Sequence, residues 1–210
     1  MKGRDFVIIL GIDPGIAIVG WGVIDYDRGT FRTLEYGAIR TDSGLAVEDR
    51  LAIIHRELYE IIDKHKPECM SIEELFWNTN QKTGIVVAEA RGVILCLARR
   101  MELKIFEYTP LQVKQAVTGY GRADKKQMEI MVTTLLKLSE TPKPDDTADA
   151  LAIAICHAHS GASTMGGYYN SAVTMGKGVK RKVTDPRILN GSNIVIPAKN
   201  KTDQSKAKKD

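Results

Sequence analysis

The sequence has only three cysteines, at 69, 96 and 156. They are far apart and odd in number, so they offer neither a zinc spacing nor a redox pair and are expected to be reduced residues of the core. Long apolar runs are missing too. The longest, Gly84 to Ala98, is interrupted by Glu89 and Arg91 and is too short and too charged to span a bilayer. The N-terminus "MKGRDFVIILGID" has a short apolar run followed at once by an acid. It lacks the longer stretch and small-residue cleavage site of a signal peptide. No membrane association and a cytoplasmic location are therefore expected.

What is present is an ordinary globular composition, 43% hydrophobic and 27% charged, in 210 residues. The net charge of +4 is unevenly spread. Residues 161–210 hold 10 Lys and Arg against 3 Asp and Glu, which leaves 20 against 23 over residues 1–160. The first 160 residues read as one domain. The last fifty have six glycines, no clear periodicity and a Lys-rich end. That composition buries too little apolar surface to offset its ordering entropy, so 161–210 is expected to be a flexible basic tail able to hold a polyanion.

Three consecutive strands are expected over 5–13, 17–26 and 30–40, rich in Val, Ile, Tyr, Phe and Thr and broken at Pro14-Gly15 and Asp27-Arg28-Gly29. A meander of this kind pairs antiparallel. Leu51, Ile54, Leu58 and Ile61 recur at helical steps and predict a helix over 46–64, ended by Pro67. A fourth strand over 68–76, a helix over 83–100 and a fifth strand over 103–110 follow. Residues 111–138 are helical on both sides of Gly119-Tyr120-Gly121, and a last helix runs over 146–158. The order predicts an α/β protein with parallel pairing in its second half: a five-stranded mixed sheet flanked by helices on both faces, the arrangement of the ribonuclease H-like fold.

Four positions stand out as acids in costly places. Asp13 ends an apolar strand, where a carboxylate must be paired, neutralised or bound to a metal. In "SIEE" an acid ends the fourth strand, but alternation alone does not choose between Glu73 and Glu74. Asp146 and Asp149 open "DDTADALAIAI" at i, i+3, about 60° apart around a helix axis. Helix capping by Asp145 or Asp146 accounts for one acid, and the helix dipole, which favours acids in a first turn, accounts for a second. Neither explains Asp149 before an apolar run, or Asp13. If the four meet, their repulsion raises their pKa values or demands cations. Carboxylate oxygens without a Cys or His framework select hard ions, Mg²⁺ or Mn²⁺. Two such ions about 4 Å apart serve phosphodiester hydrolysis.

The segments "GIDPG", "SIEELFWNTN", "EARG", "YTPLQVKQAVTGYGRADKKQ" and "DDTADALAIAICHAH", in that order over residues 6–159, resemble the RuvC family of bacterial Holliday junction resolvases. The resemblance implies a Mg²⁺-dependent crossover junction endodeoxyribonuclease of recombination and repair, with two ions per site and Mn²⁺ as a substitute. It implies that Asp13, Glu73, Asp146 and Asp149 are its catalytic, metal-binding acids, which chooses Glu73 over Glu74. It implies DNA contacts by Phe76, Lys114 and Lys125. Trp77, Arg122 and Lys126 stand beside them as further candidates. It also implies cooperation with the RuvA–RuvB branch-migration complex. The tail from Gly161 has no counterpart in the family's pattern.

Helix 83–100 is apolar nearly all round, which calls for burial on more than one side. One face is expected to cover the sheet, and another, with Ala88, Ala90 and Gly92, to meet a two-fold partner. A homodimer suits a four-way junction that needs two opposed nicks. His157 shares roughly the face of Asp149, yet is expected to be a helix C-terminal histidine favoured by the dipole. Two other functions compete: a ribonuclease H-like nuclease acting on RNA, and an ATPase-like phosphate binder using "DPG". The second would need further phosphate-binding glycine loops, and none is well placed.

Overall fold

The computed structural model describes residues 7–74 and 81–161. Phe76 and Trp77, and the basic tail beyond Gly161, lie outside the described residues. Among the described residues five strands form one sheet: β1 (Val7–Asp13), β2 (Ile18–Asp27), β3 (Thr30–Arg40), β4 (Cys69–Glu73) and β5 (Lys104–Tyr108). Their order is β3-β2-β1-β4-β5. The meander β1–β2–β3 is antiparallel, while β4 pairs parallel with both β1 and β5. The short Val- and Ile-rich β1 is central, which is why its apolar residues run on without alternation.

Among the described residues there are five helices, α1 (Val47–His65), α2 (Gln81–Arg100), α3 (Pro110–Thr118), α4 (Lys125–Leu135) and α5 (Asp145–Gly161), with α3 and α4 packed on α5. Leu10, Ile12, Val19, Val23, Met70 and Ile72 point to the side of α1 and α2 and are buried there with Ile54, Leu58, Ile94 and Leu97. Ile9, Ile24 and Cys69 point the other way and are buried with Val113, Val117, Met128, Val132 and the apolar run of α5. Each fully buried Leu or Ile contributes roughly 1.5–3 kcal/mol, so the two layers are the main source of stability.

Several boundaries differ from the sequence reading. β4 stops at Glu73 rather than 76. The helical segment 111–138 is two helices with six residues between them. Thr109 and Gln112 form a capping box with Pro110 at the first turn of α3, which ends at left-handed Gly119. Asp124 and Gln127 repeat the device at α4. The second cap, not the glycines alone, fixes where the chain becomes helical again. Asp145 and Asp146 both lie inside the first turn of α5, so neither is its cap; Thr147 N–H donates to the Pro144 carbonyl. Cys69 and Cys156 are buried as expected, but Cys96 is exposed on α2. Ala90 is also corrected: with Ile94, Leu97 and Ala98 it faces inward, fully buried, while Ile85 and Gly92 stay on the outer side.

The docking of α5 is unusually close. A Cβ on Gly11 would sit 2.1 Å from the Ala150 carbonyl oxygen, and one on Gly20 would sit 1.9 Å from that of Asp146. Gly22 likewise makes room for Leu151. Gly11 pairs with Gly22 and Asp13 with Gly20 across β1 and β2, so the three glycines form one flat patch on the sheet. The Thr147 hydroxyl donates to the Gly37 carbonyl at 3.1 Å and pins the start of α5 to β3 as well. Gly11→Ala or Gly20→Ala is expected to cost about 1–3 kcal/mol through overpacking. Gly92→Ala, with nothing within 4 Å of its added Cβ, is expected to stabilise by up to about 1 kcal/mol. Urea denaturation of the three variants checks the contrast.

Candidate active site

The sheet brings two of the acids together by register alone. Ile12 pairs with Ile72 in the parallel β1–β4 ladder. Asp13 and Glu73, one residue further, end adjacent strands on the α5 side. Ile72 is fully buried against α1 and α2, so strand alternation sends Glu73 to the α5 side. Glu74 lies past the strand, with its N–H on the Tyr108 carbonyl.

Helix α5 supplies the other two. Its start rests on Gly20, the partner of Asp13, so Asp146 and Asp149 arrive beside the strand ends. Burial first, then the charges of Asp149, Glu73 and Asp146, push the Asp13 carboxyl up to about 7. Glu73 is raised by burial and by Asp149. Asp149 is raised by burial and by Asp146, Asp145 and Glu129, against the opposing Lys125. These are the mutual effects of one carboxylate cluster.

Asp145 faces differently. Its carboxylate takes Lys125 at 3.0 Å and Lys143 at 3.2 Å, and these lysines hold it below the usual carboxylate range. It is not among the charges that act on Asp13, whereas Asp146 is. Of the adjacent pair, Asp146 acts on Asp13, while Asp145 pairs with the two lysines.

A cleft of about 230 Å³ opens beside the cluster, lined by Glu73, Lys114, Lys125 and Asp149 over an apolar floor that includes Val113, Met128 and Ile153. Lys114 and Lys125 of the expected DNA contacts are therefore in the cleft. Arg122 and Lys126 are exposed but do not line it. Glu129 and Lys143 were missed by the sequence reading. Glu129 follows Lys125 by four residues on α4, a spacing that signals one face; Lys143 in a Pro-rich loop gives no such sign.

Among the described residues no group of three or more Asp, Glu, His or Cys side chains is placed to hold a metal ion as it stands. The donor set is an open group of hard oxygens, and proton affinity is raised at Asp13, Glu73 and Asp149. That suits divalent ions which take few protein ligands and keep places for water and phosphate oxygens.

His157 departs from expectation. It is buried, its Nδ1 is hydrogen-bonded to the Tyr108 hydroxyl at 2.7 Å, and its ring lies 4.2 Å from that of Phe106. Burial pushes its pKa down to about 4, so it is neutral and serves no helix dipole as a cation. It ties α5 to β5 instead.

A carboxyl whose folded pKa is raised stabilises the fold below its unfolded pKa, and that contribution is lost as pH rises through the folded value. For Asp13 the window runs from about 4 to about 7. In metal-free protein at pH 8, Asp13→Asn is expected to raise Tm by about 5 °C, on the order of 2 kcal/mol. The gain should vanish near pH 4. Thermal melts of both proteins in EDTA across that range check it; the difference between them excludes the opposing titration of His157.

The family model described as "Crossover junction endodeoxyribonuclease RuvC" matches residues 9–157. The chain is 58% identical over 158 residues to the crossover junction endodeoxyribonuclease RuvC of Alkaliphilus oremlandii, covering 75% of this chain and 96% of that one. It is 56% identical over 155 residues to the counterpart from Alkaliphilus metalliredigens, covering 74% and 94%. The solved structure of Thermus thermophilus RuvC in complex with a Holliday junction substrate superposes with a TM-score of 0.74 at 32% identity, over 78% of this chain and 99% of that one. The yeast mitochondrial Holliday junction resolvase, at 14% identity and a TM-score of 0.56, shares the fold. With the sheet order, the carboxylate cluster and these relatives in agreement, the chain belongs to the RuvC family of crossover junction endodeoxyribonucleases.

Proposed function

We propose that this protein resolves Holliday junctions by paired, symmetric, Mg²⁺-dependent nicks, with Asp13, Glu73, Asp146 and Asp149 as the metal-binding catalytic acids. The observation that carries the reading is the convergence of these four carboxylates, each from a different strand end or helix turn, beside a cleft that also holds Lys114 and Lys125. Two divalent ions bound there would activate water and stabilise the leaving oxygen.

The chain's own groups supply the frame. β1 and β4 hold Asp13 and Glu73 on rigid, paired backbone, and the glycine patch fixes the distance to Asp146 and Asp149. Lys114 and Lys125 bind backbone phosphates beside the acids, which makes junction binding salt-dependent. Arg122 and Lys126, exposed on the α3–α4 turn and the start of α4, extend this contact along the DNA. Phe76 and Trp77 serve as a wedge or stacking platform at the junction centre.

Two copies paired through the outer side of α2 place two such sites across a two-fold axis, as symmetric nicking requires. Residues 1–160 form the nuclease domain, and the tail of 161–210 holds polyanion loosely. The protein acts in the cytoplasm with the RuvA–RuvB complex. Relatives named as junction endodeoxyribonucleases favour this reading over a ribonuclease H-like enzyme acting on RNA.

Incubation with a mobile four-way junction, a plain duplex and an RNA–DNA hybrid, in Mg²⁺ or EDTA, tests the activity. Only the junction with Mg²⁺ should be cut; cleavage of the hybrid alone would sink the reading. Asp13→Asn should bind the junction normally and cut it at least about 1,000-fold more slowly, a loss of roughly 4 kcal/mol in the barrier. Lys114→Ala should weaken binding and lower its logarithmic salt slope by about 1, read by fluorescence anisotropy at several salt concentrations.

A further inference from the structure

The carboxylate cluster carries a cation of its own. Lys125, the first residue of α4, places Nζ 3.0 Å from Oδ2 of Asp145 and 3.8 Å from Oδ2 of Asp149. The other oxygen of Asp145 accepts from Lys143 at 3.2 Å. One exposed carboxylate thus joins two lysines from separate segments beside the cleft that Lys125 lines.

We propose that Asp145 is a positioning residue that holds the Lys125 ammonium at the cleft rim, out of the space among Asp13, Glu73, Asp146 and Asp149. The inference rests on those four acids being the metal site. An ammonium without a partner of its own is drawn to the nearest acids. Lys125 already feels them: Asp145 first, then Asp149 and Asp146, hold its proton more tightly than usual. Without Asp145 the nearest oxygen is that of Asp149, and the ammonium competes with divalent ions for it. With Asp145 in place, Lys125 stays within reach of a phosphate while leaving Asp149 open. Lys143, on the opposite oxygen, fixes the rotation of the carboxylate so that Oδ2 faces Lys125.

The pairs are more than half exposed on the lysine side, so the effect is modest, roughly three- to five-fold. Mg²⁺ titration of the full chain, read as the rise in Tm, measures ion binding without catalysis. Asp145→Asn should raise the half-saturating Mg²⁺ about three- to five-fold, and Asp145→Glu should restore most of it. In a Lys125→Ala background Asp145→Asn should change it by less than about two-fold, because the competitor is gone. An unchanged midpoint in Asp145→Asn overturns the proposal. So does a shift that persists in Lys125→Ala, since it would come from the field of the carboxylate and not from Lys125. A wild-type chain that Mg²⁺ does not stabilise at all overturns the metal-site reading and this inference with it, an outcome distinct from the other two. Metal-free Tm values of all variants separate a folding defect from a binding effect.

Discussion

Everything at the cleft depends on how near α5 lies to the sheet. A helix normally packs on strands through layers of side chains on both sides. Here Gly11 and Gly20 remove one layer, so that helix backbone rests almost directly on strand backbone, and Gly22 makes room for the Leu151 side chain. Without that approach the carboxylates of α5 would stand a side chain's thickness farther from Asp13. The glycines are adjacent across the β1–β2 ladder, so the flat patch belongs to the register of the meander and cannot be moved without moving Asp13.

That closeness has an electrostatic cost. Asp13 titrates near 7 because it is buried and because three other acids surround it. The fold holds this repulsion with the two apolar layers, with Thr147 on Gly37 at one end of α5 and with His157 between Phe106 and Tyr108 at the other. A neutral histidine suits that second anchor, since a charged one would have to be desolvated. Lys125 offsets part of the repulsion at the rim, and it does so from a helix start fixed by the Asp124–Gln127 capping box. Fold stability and site chemistry thus meet in the same few residues, the usual setting for strongly perturbed carboxylates.

Much of this was legible in the sequence, for reasons particular to each residue. The meander was marked by Pro14-Gly15 and Asp27-Arg28-Gly29, and α1 by the spacing of its apolar residues. Asp13 was conspicuous because apolar strands seldom carry an acid. Glu73 was not separable from Glu74 by alternation, because β4 is buried on both faces until its last residue. The roles of Gly20 and Gly22 were hidden, since what they meet, the Asp146 carbonyl and the Leu151 side chain, belongs to a helix more than a hundred residues later. Asp145 and Asp146 read as equal capping residues, and only the lysines facing Asp145 tell them apart. His157 looked like a helix-end cation because the sequence does not show that β5 covers it. Ala90 and Gly92 looked alike on an all-apolar helix, and the packing of α1 against α2 separates them.

The central proposal is that the glycine-seated helix brings four carboxylates together as a site for two divalent ions. Titration of the metal-free protein with Mn²⁺, followed by electron paramagnetic resonance, tests it most directly. The account predicts uptake of about two ions per chain with magnetic coupling between them, and loss of both uptake and coupling in Asp13→Asn. Uptake that is absent in the wild-type chain, or unchanged in Asp13→Asn, would contradict it.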